Sequence, residues 1–380
     1  MPRRIVAVSL RVTAALFAPP SPLHLVPCPG YEEARSGRIF SGRVAERYPD
    51  AICIASCEED VQSCVKFAIE RGITISVRSG GHNWFSCSLR DGGLLVDVGN
   101  LRSVEIDASR KLAVVGPGLP GSELARQLGP LGLFFPTGHC ASTPIGGFLL
   151  GGGFGLGQER FGMSSISIVA VTVVTPQGDI VRAEEGSEYF WLAKGGYTAM
   201  RGIVVSFTLR LFDAPACILS TSISYPAGLY ARLCEELYNV KQAHPNSKEV
   251  RLANHLRAGA RLSCGSLKFS ALFSFVPPPQ VETTVISLRS PEPLAILSLT
   301  AWSDSDEAAR SALAPYLSIH ENIKGAPAPS TPPVLSPTTP LEILEGASGA
   351  YPPGKRYSTE SIFINHAVSN PFPQNTNLTG

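Results

Sequence analysis

Two separated glycine-containing segments constrain this sequence more than any other feature. The first is Val77-Arg78-Ser79-Gly80-Gly81-His82, which ends an apolar strand pattern. The second begins with Gly138-His139-Cys140 and continues into a glycine-rich run over 146–157. Glycine at this density weakens strands and helices, but it permits positive φ angles and brings ligands close to main-chain N–H groups. We therefore expect both segments to line a site for a nucleotide cofactor, with His82 and Cys140 reaching its reactive ring.

Composition limits the kinds of partner that this chain can have. It has 380 residues, of which 44% are hydrophobic and 17% charged, so two to three domains with sizeable cores are possible. The formal net charge of +1 argues against a nucleic-acid surface, and no apolar stretch is long enough to span a bilayer. A small-molecule partner remains, and the oligomeric state is open.

The cysteines and the N-terminal segment constrain the function less than the glycine-containing segments do. The nine cysteines are an odd number, which excludes a fully paired disulfide framework, and their spacing predicts no metal site. Residues 1–35 begin with Arg3 and Arg4 before an apolar run that Arg11 interrupts. This segment is interpreted as a leader or an irregular segment, and a leader would place the protein in the secretory pathway.

The pattern of apolar residues predicts an α+β fold. A strand at 51–55, a helix capped by Ser56 and ended by Gly72, and a strand at 73–77 form a β-α-β unit. Further predicted strands cover 94–98, 104–107, 111–115, 166–175, 180–183, 203–211, 218–223, 267–275 and 294–301. Further predicted helices cover 122–128, 188–193, 230–244 and 306–314, the last capped by Ser305 and stopped by Pro315, and 326–341 is predicted to be a loop.

One segment carries the letters of a dinucleotide-binding turn. Gly116-Pro-Gly118-Leu-Pro-Gly121 matches G-x-G-x-x-G after a strand. However, Pro117 and Pro120 remove two main-chain donors, and no acidic residue lies between Glu123 and Glu159 to bind a ribose. We therefore interpret it as a loop before a helix, which disfavours an NAD-dependent dehydrogenase.

Taken in order, several blocks resemble the berberine-bridge-enzyme-like FAD-linked oxidoreductases of the vanillyl-alcohol-oxidase superfamily. The matching blocks are Arg78-Ser-Gly-Gly-His82, Gly138-His-Cys140 with Gly146-Gly147, Gly151-Gly-Gly153-Phe-Gly155, Phe190-Trp191 and Gly202 to Leu209. The resemblance implies a two-part PCMH-type FAD-binding domain over 36–215 and an α+β substrate domain with an antiparallel sheet over 216–345. It also implies that the C-terminal segment, 346–380, is shorter than in the family.

The resemblance further implies FAD attached at two points. His82 would bond the flavin 8α carbon, and Cys140 would bond ring position 6. Main-chain donors of Arg78, Ser79, Gly80 and Gly81 would face the pyrophosphate, and Ile203 and Val204 would lie by the adenine or ribose. The glycines implied to pack against the cofactor are Gly146, Gly147, Gly152, Gly153 and Gly155.

The implied function is an FAD-linked oxidoreductase. It would take a hydride from an alcohol, an amine or a C–H bond beside an aromatic ring, pass the electrons to O2, and serve natural-product biosynthesis. The alternative is a flavin-binding relic without turnover. The sequence departs from the family at Pro144 and over 195–202. It identifies no catalytic base: Tyr357 and His366 are candidates by residue type, but a surface role is the preferred interpretation of each.

Overall fold

The structure, a computed structural model, describes residues 5–7, 30–243, 281–288, 294–323, 325–327 and 333–348. The chain forms two units that meet in sequence at Ala216 and Cys217. The second unit extends to Pro337, and the segment from Thr338 returns to the first unit. The second unit therefore gives way to the first at Pro337, whereas the sequence predicts a domain that runs over 216–345. The mixture of helices with antiparallel sheets is the α+β class expected from the sequence.

The strands of the first unit form a parallel sheet, an antiparallel sheet and a short two-stranded pair. In chain order they are β1 (Ile5–Ala7), β2 (Ala51–Ile54), β3 (Ile75–Arg78), β4 (Leu94–Asp97), β5 (Val104–Asp107), β6 (Leu112–Val115), β7 (Leu133–Phe134), β8 (Ile168–Val174), β9 (Ile180–Ala183), β10 (Ile203–Arg210) and β11 (Phe212–Asp213). Its helices begin with α1 (Tyr31–Ser36), α2 (Glu58–Arg71), α3 (Gly121–Leu128), α4 (Ile145–Leu150), α5 (Gln158–Phe161) and α6 (Glu188–Ala193).

The parallel sheet has the order β1-β2-β4-β3. Its edge strand Ile5–Ala7 lies within the segment expected to be a leader or irregular. Helix α2 buries one face at helical spacing and ends at Gly72, where φ is 61°, as predicted. Ser56 is not the cap, because Cys57 holds that position and the Ser56 N–H instead donates to the Asp60 carboxylate at 2.9 Å.

The antiparallel sheet has the order β5-β6-β10-β8-β9. Strands β8 and β9 form the hairpin that the Pro176–Asp179 turn predicts. Buried Leu124 of α3 and Leu149 of α4 belong to the same core cluster as Phe207 of β10. This core therefore fixes α4, which carries Gly146 and Gly147 of the second glycine-containing segment, and α3, which precedes that segment.

The glycine run forms more helix than its composition favours. Gly146 and Gly147 lie inside α4, where Ile145 and Leu149, one helical turn apart, are both fully buried. Gly146 is needed because a Cβ there would lie 2.7 Å from Cβ of Pro117. Burial of the two apolar side chains outweighs the weak helix propensity of glycine.

The second unit contains an antiparallel sheet of order β13-β14-β12-β15, whose strands are β12 (Cys217–Pro226), β13 (Val281–Leu288), β14 (Leu294–Ser303) and β15 (Ser336–Pro337). Helices α7 (Tyr230–Ala243) and α8 (Asp306–Leu317) contribute Leu233 and Leu313 to the core beneath β12 and β14. Strand β13 was not predicted, and the predicted strand at 267–275 lies outside the described residues.

Helix α8 confirms one predicted end and corrects the other. Ser305 caps it, accepting a hydrogen bond from the Ala308 N–H at 3.2 Å. Pro315 does not stop it: the helix continues to Leu317. The missing N–H leaves the carbonyl of exposed Ser311 without its helical bond, whereas the next residue, Tyr316, is fully buried. Packing of Tyr316 therefore outweighs the lost bond.

The predicted loop at 326–341 contains the start of a helix, α9 (Pro340–Ser348). Thr339 and Glu342 form a reciprocal capping box: the Glu342 N–H donates to Thr339 Oγ1 at 3.2 Å, and the Thr339 N–H donates to Glu342 Oε2 at 2.8 Å. Glu345 of α9 pairs with Arg126 of α3 at 3.3 Å, which ties this segment to the first unit. Among the described residues, no helix combines the length and apolarity needed to cross a membrane.

Candidate functional site

A cavity of about 780 Å3 in the first unit lies beside both glycine-containing segments. Small-molecule sites commonly span about 300–1,000 Å3, so this one is large for its kind. It is lined by ten of the predicted site residues, namely Arg78, Ser79, Gly80, Gly81, His82, Gly146, Gly147, Gly153, Ile203 and Val204. Cys140, Gly152 and Gly155 are not among the residues that line it.

Arg78 anchors the loop that follows β3. Its guanidinium is 2% exposed and pairs with the fully buried Asp97, with 2.7 Å between Nη2 and Oδ2. It also donates to the carbonyl oxygens of Arg35, at 2.7 Å, and Ala34. The side chain is therefore occupied within the protein, so only the main chain of this segment is available to a phosphate.

Gly80 and Gly81 are required by close packing on both sides of the loop. A Cβ on Gly80 would overlap Cγ of Pro144, and a Cβ on Gly81 would overlap the carbonyl oxygen of Arg38. Gly81 also has φ of 72°, which disfavours other residues. Pro144, the departure noted in the sequence, thus fits the space that the absence of a side chain at Gly80 leaves.

The packed loop presents main-chain donors without main-chain partners in the described part of the chain. Two carbonyl oxygens of the loop accept hydrogen bonds from the protein: that of Arg78 from the Val98 N–H at 2.8 Å and that of Gly81 from the Phe40 N–H at 3.1 Å. Among the described residues, the N–H groups of Ser79, Gly80 and Gly81 donate no hydrogen bond to a main-chain carbonyl. Consecutive N–H groups of this kind form an anion-binding turn.

The charges around the cavity favour an anion. Its lining residues, all within the described part of the chain, include the exposed Arg90 but no Asp or Glu, and the charge of Arg78 is already paired with Asp97. Aromatic and apolar side chains cover other parts of the wall, among them Trp84, Phe148 and Ile203. Donors for phosphate beside apolar walls for flat rings are the combination that a flavin dinucleotide needs, so these residues fit FAD.

His82 is held by contacts on both ring nitrogens. Nε2 lies 3.1 Å from Ser142 Oγ, Nδ1 lies 3.2 Å from Thr143 Oγ1, and the ring stacks on Phe40 with centroids 4.2 Å apart. Burial lowers the pKa of His82 from 6.5 to about 4, although a hydrogen bond to the Ser142 main chain opposes this shift. The imidazole is therefore neutral at pH 7.

Cys140 lies in the turn that supplies these two hydroxyls. Its carbonyl oxygen accepts from the Thr143 N–H at 3.0 Å, and its thiol hydrogen-bonds the Thr143 side chain. Burial raises the pKa of the Cys140 thiol, and the Thr143 bond partly offsets the rise. The turn is fixed to the start of α3, since Ala141 and Thr143 accept from Ser122 and Gly121 at 3.2 and 2.9 Å.

The later glycines divide into two groups. Gly153 lines the cavity, and a Cβ there would lie 2.8 Å from Cβ of Ser164. Gly155 instead packs against protein main chain, because its Cβ would lie 2.7 Å from the carbonyl oxygens of Pro136 and Thr137. Gly152 has φ of 97° and faces Met163. The structure thus gives Gly155 and Gly152 a role in loop packing.

The strand-end residues Ile203 and Val204 complete one wall. They begin β10, are 5% and 4% exposed, and line the cavity. A nearby pair that sequence reasoning missed is Asn83 and Tyr197, in which Asn83 Nδ2 donates to the Tyr197 hydroxyl at 2.9 Å. Its signal was the position of Asn83 directly after His82 and the departure of 195–202 from the family pattern.

The Gly116 to Gly121 segment serves packing, as its interpretation as a loop requires. A Cβ on Gly118 would lie 2.5 Å from the Gly99 carbonyl oxygen. The Pro117 carbonyl accepts from the Gly146 N–H and from Ser79 Oγ, at 2.8 and 2.7 Å. This segment therefore connects two parts of the cavity wall, because Ser79 and Gly146 both line the cavity.

A sequence profile described as an FAD-binding domain matches residues 49–184, the part of the chain that contains both glycine segments. Residues 49–184 are an FAD-binding domain. Relatives of the chain are named as FAD-linked oxidoreductases and oxidases. It is 28% identical over 345 residues to FAD-linked oxidoreductase nodO of Hypoxylon pulicicidum, covering 90% of this chain and 69% of that protein. It is 31% identical over 207 residues to (R)-6-hydroxynicotine oxidase of Paenarthrobacter nicotinovorans, covering 52% and 45%.

Solved structures share the fold of most of this chain, including the FAD-binding domain. The 6-hydroxy-D-nicotine oxidase of Arthrobacter nicotinovorans aligns with a TM-score of 0.67 at 20% identity, covering 87% of this chain and 64% of that one. BBE-like 1 of Physcomitrella patens aligns with a TM-score of 0.65 at 22% identity, covering 86% and 63%. The chain thus spans just under two thirds of these two structures. The fold implied by the resemblance to berberine-bridge-enzyme-like, PCMH-type flavoenzymes is confirmed.

Proposed function

We propose that this protein is an FAD-linked oxidase that takes a hydride from a small organic substrate. The observation that carries the proposal is the turn at Ser79–Gly81. It lines a cavity without carboxylates, its main-chain N–H groups donate to no main-chain carbonyl of the described residues, it belongs to an FAD-binding domain, and His82 follows directly. When bound, FAD supplies an acceptor for the hydride and a route for the two electrons to O2.

His82 is proposed as the first point of covalent attachment. Its neutral imidazole carries the nitrogen lone pair that a C–N bond to the flavin 8α carbon would require. That bond would replace an 8α C–H bond: the 8α proton and the ring proton would leave to solvent, and the two electrons would reduce the flavin, which O2 would reoxidise. The Phe40 stack and the contacts with Ser142 and Thr143 hold the ring in one orientation. The lowered pKa supports this role because a protonated ring has no lone pair to share.

Cys140 is proposed as the second point of attachment, at ring position 6. A C–S bond there would replace the C6–H bond: the thiol proton and the C6 proton would leave to solvent, and the two electrons would reduce the flavin, which O2 would reoxidise. Burial of Cys140 opposes the loss of the thiol proton. Thr143 contacts both Cys140 and His82, so these two side chains lie on either side of one shared residue. We propose that attachment at His82 comes first and brings the ring to the sulfur.

The substrate class is proposed from the names of relatives. Those names include (R)-6-hydroxynicotine oxidase and several fungal FAD-linked oxidoreductases. We propose an alcohol, an amine or a C–H bond beside an aromatic ring as the reacting group, in natural-product biosynthesis. The candidate bases Tyr357 and His366 lie outside the described residues.

The test is anaerobic mixing of the purified yellow protein with panels of alcohols, amines and benzylic compounds. Bleaching of the flavin absorbance, followed by its return and hydrogen peroxide formation when O2 is admitted, is the expected result. A flavin that no compound reduces, though dithionite reduces it, would favour the non-catalytic alternative. Purified protein that takes up no flavin would overturn the proposal.

A further inference from the structure

The hydrogen bond between Asn83 and Tyr197 joins two separate walls of the cavity. Asn83 belongs to the loop that carries His82, whereas Tyr197 belongs to the segment between α6 and β10. The two residues are 114 positions apart in sequence, and both line the cavity. Nothing in the proposed chemistry of His82 and Cys140 uses this pair.

The Asn83 side chain is oriented by contacts at both ends. Its Oδ1 accepts from the N–H groups of Phe85 and Cys87, at 2.9 and 3.4 Å. These donors fix which end of the amide is oxygen, so Nδ2 must be the group that donates to Tyr197. A side chain anchored on two sides limits the movement of the residue before it, which is His82.

Tyr197 is held in a conformation that needs support. Its φ is 40°, in the left-handed region that side chains other than glycine avoid. The turn is closed by hydrogen bonds from Ala199 N–H to the Gly196 carbonyl at 2.7 Å and from Gly196 N–H to the Leu192 carbonyl at 2.8 Å. The ring passes next to Gly151, where a Cβ would lie 3.6 Å from Tyr197 Cδ2.

We propose that Tyr197 is a positioning residue for the flavin attachment site: through Asn83 it fixes the loop that places His82 against the cofactor. The hydroxyl acts as a neutral acceptor, and burial keeps it so by raising the pKa of Tyr197. This role rests on the proposed function, because a fixed His82 matters only if the imidazole reacts with a bound ring.

The first arm of the test reads the loop itself. Hydrogen exchange of flavin-free protein, purified from riboflavin-starved cells, is compared between wild type and Tyr197→Phe. The substitution keeps the ring and removes one hydrogen bond, so exchange at the Phe85 and Cys87 amides should rise about fivefold. The matched control is Tyr189→Phe, since Tyr189 lies on α6 and is not among the cavity-lining residues. Unchanged exchange in Tyr197→Phe would overturn the positioning role.

The second arm reads attachment. The same flavin-free proteins are incubated with FAD, and the covalently bound fraction is followed by intact mass spectrometry after acid denaturation. Tyr197→Phe should attach flavin about fivefold more slowly than wild type and Tyr189→Phe, with an unchanged melting temperature. If wild type attaches FAD and Tyr197→Phe attaches it equally fast, only the positioning role fails. If wild type attaches none, the attachment proposed for His82 fails, and the positioning role fails with it.

Discussion

His82 and Cys140 contact the same side chain, that of Thr143. The Thr143 hydroxyl lies 3.2 Å from His82 Nδ1 and also hydrogen-bonds the Cys140 thiol. One hydroxyl has one hydrogen to give, so both contacts are satisfied when Nδ1–H donates to Thr143 and Thr143 donates to the sulfur. That arrangement leaves the Nε2 lone pair of His82 facing the Ser142 hydroxyl.

Removing the shared hydroxyl should impair attachment at both positions. Thr143→Val keeps the shape of the side chain, and we expect the doubly attached fraction to fall several-fold because the loss of a hydrogen bond changes an equilibrium about fivefold. Peptide mapping by mass spectrometry measures flavin on each peptide. Thr172→Val is the control, since it removes a similar hydroxyl pair with Ser206, 2.9 Å apart, away from the cavity. Equal attachment in the two variants would contradict a shared role.

The buried pair of Arg78 and Asp97 should dominate the stability of the cavity loop. Asp97→Asn leaves a buried guanidinium without its counter-charge, and we expect a loss of about 3–5 kcal/mol in unfolding free energy. Urea denaturation measures it. The comparison is Asp213→Asn, which breaks an exposed pair with Lys111 at 2.6 Å and should cost less than about 1 kcal/mol. Similar losses in the two variants would show that burial does not set the importance of the Arg78 pair.

Gly80 and Pro144 should behave as a coupled pair. Gly80→Ala introduces the overlap with Pro144, whereas Pro144→Gly makes room for it. We expect the double variant to recover most of the stability lost by Gly80→Ala, with a coupling of about 0.5–3 kcal/mol. A urea-denaturation cycle of the four proteins gives this value. Additive effects would mean that the loop moves away from Pro144 rather than packing on it.

The lowered pKa of His82 makes stability depend on pH in a defined direction. Between pH 6.5 and about 4 the unfolded chain binds a proton at His82 that the folded chain does not. Flavin-free protein should therefore lose stability as pH falls through this window, by at most about 1.4 kcal/mol per pH unit from this residue, with no effect above it. His82→Gln should lose less than wild type between pH 7 and pH 5 in urea denaturation. Identical losses would contradict a His82 that stays neutral in the folded protein through this pH range.

Local patterns predicted much of this fold because local physics decides those elements. The hairpin of β8 and β9, helix α6 and the Gly72 end of α2 follow from turn residues and apolar spacing. Helix α9 begins inside 326–341, whose content of Pro, Ser and Thr predicts a loop, although Thr339 and Glu342 carry the capping-box signal.

Other features depend on contacts that no local pattern encodes. Pro315 is tolerated within α8 because Tyr316 packs in the core, and strand β13 exists because β14 pairs with it. At the site, the sequence predicts that both His82 and Cys140 face the cofactor. In the structure His82 lines the cavity, whereas Cys140 is not among the lining residues. It also missed the Asn83–Tyr197 bond, which joins residues far apart in the chain.

Intact mass spectrometry of acid-denatured protein tests the central claim most directly. Wild type should carry the mass of one FAD, Cys140→Ala should retain it through His82, His82→Ala should retain only a small fraction through Cys140, and the double variant should lose it completely. Wild type that releases all its flavin on denaturation, or a double variant that keeps a covalent flavin, would contradict attachment through His82 and Cys140.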